Sequence, residues 1–268
     1  MVTVLLLILG FGAGLLGALT GIGGGVLLTP LLALHFGIPI RQAIGTSLVA
    51  VITTSAASSS VHLQRHTTDI RLGMTLELAT SLGAAVMAYL VGYFNRSFLE
   101  GLFAAFLLYS AITLLRGRKP KTELGDESSP AVGGNGDVVI PHYEPKRYPL
   151  GMGSSLVAGA LSGLLGIGGG PIKVPVMMIF MDVPLIVATA TSNFMIGVTA
   201  AASAIVYYRR GDILVEVAAP LAVGVFLGSL LGARLSPRIH KNVVVYLLVA
   251  VMFYLAGHLL LHLAKVHL

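Results

Sequence analysis

Gly21-Ile22-Gly23-Gly24-Gly25 stands inside one long apolar stretch, and Gly166-Ile167-Gly168-Gly169-Gly170 stands inside another, 145 residues later. Without a gap the match runs from Gly14–Ser47 onto Gly159–Ser192, with 13 identities in 34 positions. Pro30/Pro175, Pro39/Pro184, Ala43/Ala188, Thr46/Thr191 and Ser47/Ser192 are among them. Shared hydrophobicity does not align glycines, prolines and hydroxyls, so the chain reads as a duplicated unit.

The surrounding composition says where such a unit sits. Hydrophobic residues make up 56% of the 268, charged residues 10%, and mean hydropathy is +0.90. Soluble domains carry about 25% charge. A hydrocarbon core about 30 Å thick takes roughly 20 helical residues at about 1.5 Å each, and the apolar runs are that long. The chain therefore reads as an all-α polytopic membrane protein. Its net charge of +6 comes from Lys and Arg at the ends of apolar runs, where they act as topology signals and not as a nucleic-acid surface. The absence of cysteine excludes disulfides, thiolate metal sites and iron-sulfur clusters. Tyr93, Tyr148, Tyr207 and Tyr208 are candidate interfacial anchors in a chain without Trp. Met1–Leu9 lacks a basic leader and reads as the start of the first membrane helix.

Apolar segments are expected at about 2–20, 26–36, 43–62, 72–94 and 97–115, and again at about 150–165, 171–181, 186–208, 214–234 and 242–263. This divides the chain into a first membrane repeat, 1–116, a polar linker, 117–149, rich in Lys, Glu, Asp, Ser, Gly and Pro, and a second membrane repeat, 150–268. Each half holds about four helical spans with a glycine-broken or re-entrant element. Parallel and inverted arrangements both put 11 basic residues on the linker side against 5 opposite, so charge places the linker in the cytoplasm without choosing between them. Segment length favours inversion: a nearly full span precedes each glycine run and about 11 residues follow it. Two such hairpins entering from opposite faces meet near the midplane.

Duplicated membrane units with helices broken at corresponding places mark transporters, with the site where the breaks meet. Consecutive glycines let backbone amides leave the helix ladder and face an anion, and such amides are tolerated in the membrane only against protein or a wet cavity. Gly23, Gly24, Gly25, Gly168, Gly169 and Gly170 are accordingly candidate binding residues. Thr46, Ser47, Thr191, Ser192 and Asn193 add short donors that hold an oxyanion without a fixed charge, which also lets it leave. Hydroxyls of this kind equally bond their own backbone or a neighbouring helix. Lys173 is the exceptional charge: its repeat counterpart is Leu28, and an intramembrane ammonium costs about 2.5–3.5 kcal/mol on insertion scales. It either supplies a positive field at the site or snorkels to an interface.

Glu77 and Glu216 lie near span starts and are read as interfacial. The i, i+4 pairs His62/His66 and His258/His262 share helix faces but have no matching repeat positions, so they read as interface histidines rather than metal ligands. No cofactor and no metal is expected. No nucleophile–base constellation, phosphate loop or catalytic carboxylate pair stands out, and an enzyme is not expected.

At Gly21–Pro30 and Gly166–Pro175, with Gly37-Ile38-Pro39, Val183-Pro184 and the Ala-x-x-Thr-Ser segments ending at Ser47 and Ser192, the chain resembles the TauE/SafE family of sulfite exporters. The resemblance covers nearly everything outside 117–149. It implies a four-plus-four-helix transporter that exports sulfite or a related small organosulfur anion, such as thiosulfate or sulfoacetate, across a prokaryotic inner membrane. Asp182 in place of Gly37, and Lys173 in place of Leu28, make the second half depart from the first. One charge crossing 100 mV is worth about 2.3 kcal/mol, so an anion leaves an inside-negative cell downhill. An alternating-access carrier is the reading; an anion channel and a non-transporting partner or sensor subunit are the alternatives.

Overall fold

A computed structural model describes residues 2–116, 143–236 and 241–266, so most of the expected linker, 117–142, lies outside the described residues. The first half forms α1 (Val2–Thr20), α2 (Gly25–His35), α3 (Ile40–Gln64), α4 (Ile70–Leu90), a 3₁₀ turn (Val91–Tyr93) and α5 (Arg96–Arg116). The second follows the same order with α6 (Tyr148–Leu165), α7 (Gly170–Ile179), α8 (Leu185–Arg209), α9 (Val215–Leu235) and α10 (Lys241–Val266). Eight of these are long and apolar enough to cross a membrane, and among the described residues no strand occurs. At 11 and 10 residues, α2 and α7 reach only about 15–17 Å, half the hydrocarbon core of a bilayer. The chain is an all-helical membrane protein.

Local chemistry sets the helix boundaries in matched pairs. Pro39 and Pro184, both extended, open α3 and α8. Asp69 caps α4 by accepting the Leu72 N–H at 2.9 Å. Arg65 donates to the carbonyls of Ala233 and Arg234 at the end of α9, and Arg210 donates to Ala88 and Tyr89 at the end of α4, satisfying carbonyls a helix end leaves free. Each arginine thus stitches its own half to the other.

Close contacts fix the relative directions. Gly224, Gly228 and Gly232 of α9 face the carbonyls of Leu7, Phe11 and Leu15 in turn, so α1 and α9 run parallel, with backbones brought together by glycine. Gly159 and Gly163 of α6 meet the carbonyls of Thr80 and Ala84, so α6 and α4 run parallel too. Between these pairs lie α3 and α8. Gly45 abuts the Asp212 backbone just past α8, while Ser55 donates to the Asn193 carbonyl at 2.5 Å, so α3 and α8 run antiparallel. Equivalent helices of the two halves therefore point in opposite directions. The His35 ring stacks on His258, and the start of α5 meets the end of α10 through Glu100 and His262. From the glycine run, α2 consequently descends to the end of the bundle from which α3 and α5 set out.

The apolar core runs through the centre of this assembly, with Ile22, Val26, Leu28, Val51, Ile167 and Ile196 in one buried cluster. The outer faces of α1, α4 and α9 expose Leu5, Ile8, Leu78, Leu82, Val223 and Leu227, a surface suited to lipid. Tyr93 and Tyr208 are exposed as interfacial anchors should be, and Tyr148 partly so. Tyr207 is not: it is fully buried and donates to the Gly163 carbonyl at 2.9 Å, because its ring fills the gap where α8 approaches α6.

Candidate functional site

The two glycine runs touch. A Cβ added to Gly25 would run into the Gly166 carbonyl and lie 2.6 Å from Val51, and one on Gly170 would lie 2.6 Å from the Gly21 carbonyl and 2.8 Å from that of Ile22. Val51 and Ile196, which flank Gly168, stand near the middle of α3 and α8, so the contact lies halfway along the central helices. Gly23, Gly168 and Gly169 have φ of 82°, 78° and 77°, a region closed to most side chains. These turns let α1 and α6 end, reverse, and restart as α2 and α7.

The restart leaves two helix amino ends at the seam. Gly24 and Gly169 sit at the N-cap positions and give no side-chain cap bond. Each such end carries roughly half a positive charge from its aligned peptide dipoles. Ser192 donates to the Gly21 carbonyl at 3.0 Å, and Ser47 lies 3.3 Å from the Gly166 carbonyl. The matched serines thus meet the first carbonyl past the end of the opposite half's broken helix. Ser47 also meets Thr29 at 2.7 Å and the Ile44 carbonyl at 2.8 Å. Thr46 and Thr191 work elsewhere: their hydroxyls accept the N–H of Leu214 and of Asp69, where α9 and α4 begin. The four hydroxyls that the sequence grouped together therefore separate into a serine pair at the seam and a threonine pair at helix starts.

Lys173 does not snorkel. It is 2% exposed, and its Nζ donates to Glu77 Oε2 at 3.1 Å and to the Thr199 hydroxyl at 2.9 Å. Thr199 in turn donates to Glu77 Oε1 at 2.6 Å, and Ser81 donates to the same oxygen at 2.8 Å. Glu77 is 6% exposed, which corrects its reading as an interfacial residue: α4 packs along α6 and α8 and carries the carboxylate inward. Lys173 stays beside the glycine run, its Cε 3.4 Å from where a Gly169 Cβ would lie.

Asn193 lies 3.4 Å from the Ala18 carbonyl and 3.5 Å from His62 Nε2, and its Oδ1 is buried without a hydrogen-bond partner. His62 is 5% exposed and also meets Thr67, so it too is a buried residue and not an interfacial one. Among the described residues no group of three His, Asp or Glu side chains is placed to share a metal ion. Two surface cavities, of about 380 Å³ beside Tyr89, Tyr93, Arg209 and Arg210 and about 220 Å³ beside Arg41, Arg96 and Asp212, contain no glycine-run residue.

Sequence reasoning missed Glu77 and Thr199. The signal for Thr199 was present, because it stands 145 residues after Thr54, seven positions past the last match of the ungapped window. For Glu77 the signal was an acid inside an apolar span, discounted because it falls within two turns of the helix start.

A family model described as sulfite exporter TauE/SafE matches residues 6–259. The probable membrane transporter protein YunE of Bacillus subtilis is 27% identical over 264 residues, covering 96% of this chain and 97% of its own. A probable membrane transporter protein of Methanocaldococcus jannaschii is 29% identical over 250 residues, 88% of this chain and 86% of its own. One from Xylella fastidiosa strain 9a5c is 28% identical over 237 residues, 86% and 82% of the two chains. No solved structure matches.

Proposed function

Because the chain belongs to the sulfite exporter TauE/SafE family, we propose that it is a carrier exporting sulfite or a related small organosulfur oxyanion, such as thiosulfate or sulfoacetate, by alternating access at the seam between its halves. The observation that carries this reading is the meeting of two uncapped helix amino ends, at Gly25 and Gly170, midway along the central helices. An oxyanion is the ligand such ends attract, and broken backbone at that depth is tolerated where protein encloses it or a wet cavity meets it. Gly23, Gly24, Gly25, Ser47, Gly168, Gly169, Gly170, Ser192 and Asn193 surround the anion, Lys173 supplies the fixed positive charge, and Thr46 and Thr191 hold the helix starts beside it.

The halves 1–116 and 150–268 act as inverted repeats, a reading supported by the opposed directions of α3 and α8. In the prokaryotic inner membrane, the end of the bundle bearing Arg65, Arg71, Lys146, Arg147 and Arg234 faces the cytoplasm together with the linker, as the excess of positive charge requires. Backbone contact across the seam supports a carrier over an open channel, since the anion passes only when the runs part. Purified protein in liposomes is expected to move sulfite, thiosulfate or sulfoacetate at carrier rates without unitary conductance. Absence of flux above protein-free liposomes for all three anions contradicts the reading.

A further inference from the structure

We propose that Glu77 is the proton-binding site of a proton-coupled cycle, in which the transported anion takes over Lys173 and Thr199 and the displaced Glu77 carboxylate binds one proton. The inference rests on the carrier reading and deepens it. The buried cluster holds one ammonium, one carboxylate and two hydroxyls, with net charge zero. A buried carboxylate needs a partner or a proton. An anion that binds Lys173 removes the partner.

Among the described residues, the surroundings offer Glu77 no second cation. Three helices pack around it. On α4 itself the other titratable groups are Arg71 and Tyr89, each more than a helical turn away along the chain; on α6 there is only Tyr148, at its first residue; on α8 there are Tyr207, Tyr208 and Arg209, at its far end. Lys173 is the one charged residue of α7 and the one ion-pair partner Glu77 has among the described residues. Its stem lies against Gly169, so its ammonium stands between the acid and the glycine run where the anion is held. Ser81 and Thr199 remain able to accept from a protonated Glu77.

The Lys173 ammonium to Glu77 carboxylate contact breaks, an ammonium to anion contact forms, and one water-borne proton forms an O–H bond at Glu77. For a monoanion the cluster is neutral before and after. A dianion carried with one proton leaves one net negative charge moving, so an inside-negative potential still drives it outward. When the anion departs, the proton departs with it and the ion pair closes again.

The repeat explains why one site suffices. The counterparts of Lys173 and Thr199 are Leu28 and Thr54, so the first half keeps the hydroxyl and lacks the charge. Thr54 donates to the Ala50 carbonyl of its own helix instead.

The test uses thiosulfate and sulfoacetate, anions that do not titrate near neutral pH, with full-length protein in liposomes holding a pH-sensitive dye. An inward gradient of either anion is expected to acidify the interior, with one proton per anion, and apparent affinity is expected to rise about tenfold per unit fall in pH while binding and protonation are linked one to one. Glu77→Gln is expected to retain anion movement with the acidification abolished and the pH dependence flattened. Anion flux without proton movement in the wild-type protein overturns the inference and leaves the carrier reading standing; no flux of any probe anion overturns both. Should Glu77→Gln fail to yield folded protein, the wild-type proton count decides alone.

Discussion

Lys173→Met is expected to destabilise the protein by about 3–5 kcal/mol at neutral pH, because it leaves Glu77 inside the bundle to stand as an unpaired carboxylate or to take up a proton. The Glu77 side chain would keep the hydroxyls of Thr199 and Ser81 but lose the only opposite charge within reach among the described residues. Breaking a buried pair costs far more than replacing it whole. The double variant Lys173→Met/Glu77→Gln is therefore expected to recover most of the loss, since it removes both charges together. Thermal unfolding in detergent measures the first effect and its recovery; liposome flux measures the second half of the argument. The double variant is expected to fold and to move no anion, because it lacks the fixed charge proposed for the site. A stable Lys173→Met protein would show that the ammonium is not buried against Glu77.

Gly25→Ala and Gly170→Ala are expected to have the second large effect. The added methyl at Gly25 meets the Gly166 carbonyl and Val51, and at Gly170 it meets the carbonyls of Gly21 and Ile22. The carbonyls among those neighbours are backbone, which yields less readily than the tip of a flexible side chain, and overpacking of this kind costs about 1–3 kcal/mol. In the proposed alternating-access cycle the seam also closes and parts at every turn, so flux is expected to fall by about 100-fold or more, a larger effect than the stability loss alone gives. Gly12→Ala and Gly153→Ala are the controls. They lie in α1 and α6 with nothing within 4 Å of the added methyl, so they are expected to be neutral or stabilising by up to about 1 kcal/mol. Equal flux in the seam variants and the controls would mean that the glycine contact has no part in transport.

These two expectations differ in how far the sequence announced them. The glycine runs were legible because a repeat displays conformational demands twice: no pairing of hydrophobic residues alone explains three glycines and a downstream proline at the same offset. Segment lengths made α2 and α7 legible as half-crossings for the same reason. The opposed directions of α3 and α8 follow from which residues face each other across the bundle, and basic charge was evenly balanced between the two arrangements. Lys173 was visible as an oddity, but its partner was not. Glu77 lies 96 positions away in sequence and has no acidic counterpart in the repeat, so only the packing of α4 along α8 brings the two together. The threonines show the converse limit. Thr46 and Thr191 match in the alignment as well as Ser47 and Ser192 do, yet neighbouring residues on a helix face different directions, and one pair reaches the seam while the other caps helices.

The serine-bridged glycine seam is the proposed place of anion binding. Ser47 and Ser192 are the side chains that link each run to the opposite half, and replacing both with alanine removes two donors without adding bulk. Calorimetric titration of sulfite, thiosulfate and sulfoacetate into the folded wild-type protein and into Ser47→Ala/Ser192→Ala distinguishes the seam from any other anion site. Binding of at least one anion by the wild-type protein, weakened about tenfold or more in the double variant, is the predicted result. Equal affinity in the two proteins would contradict it and move the binding site away from the seam.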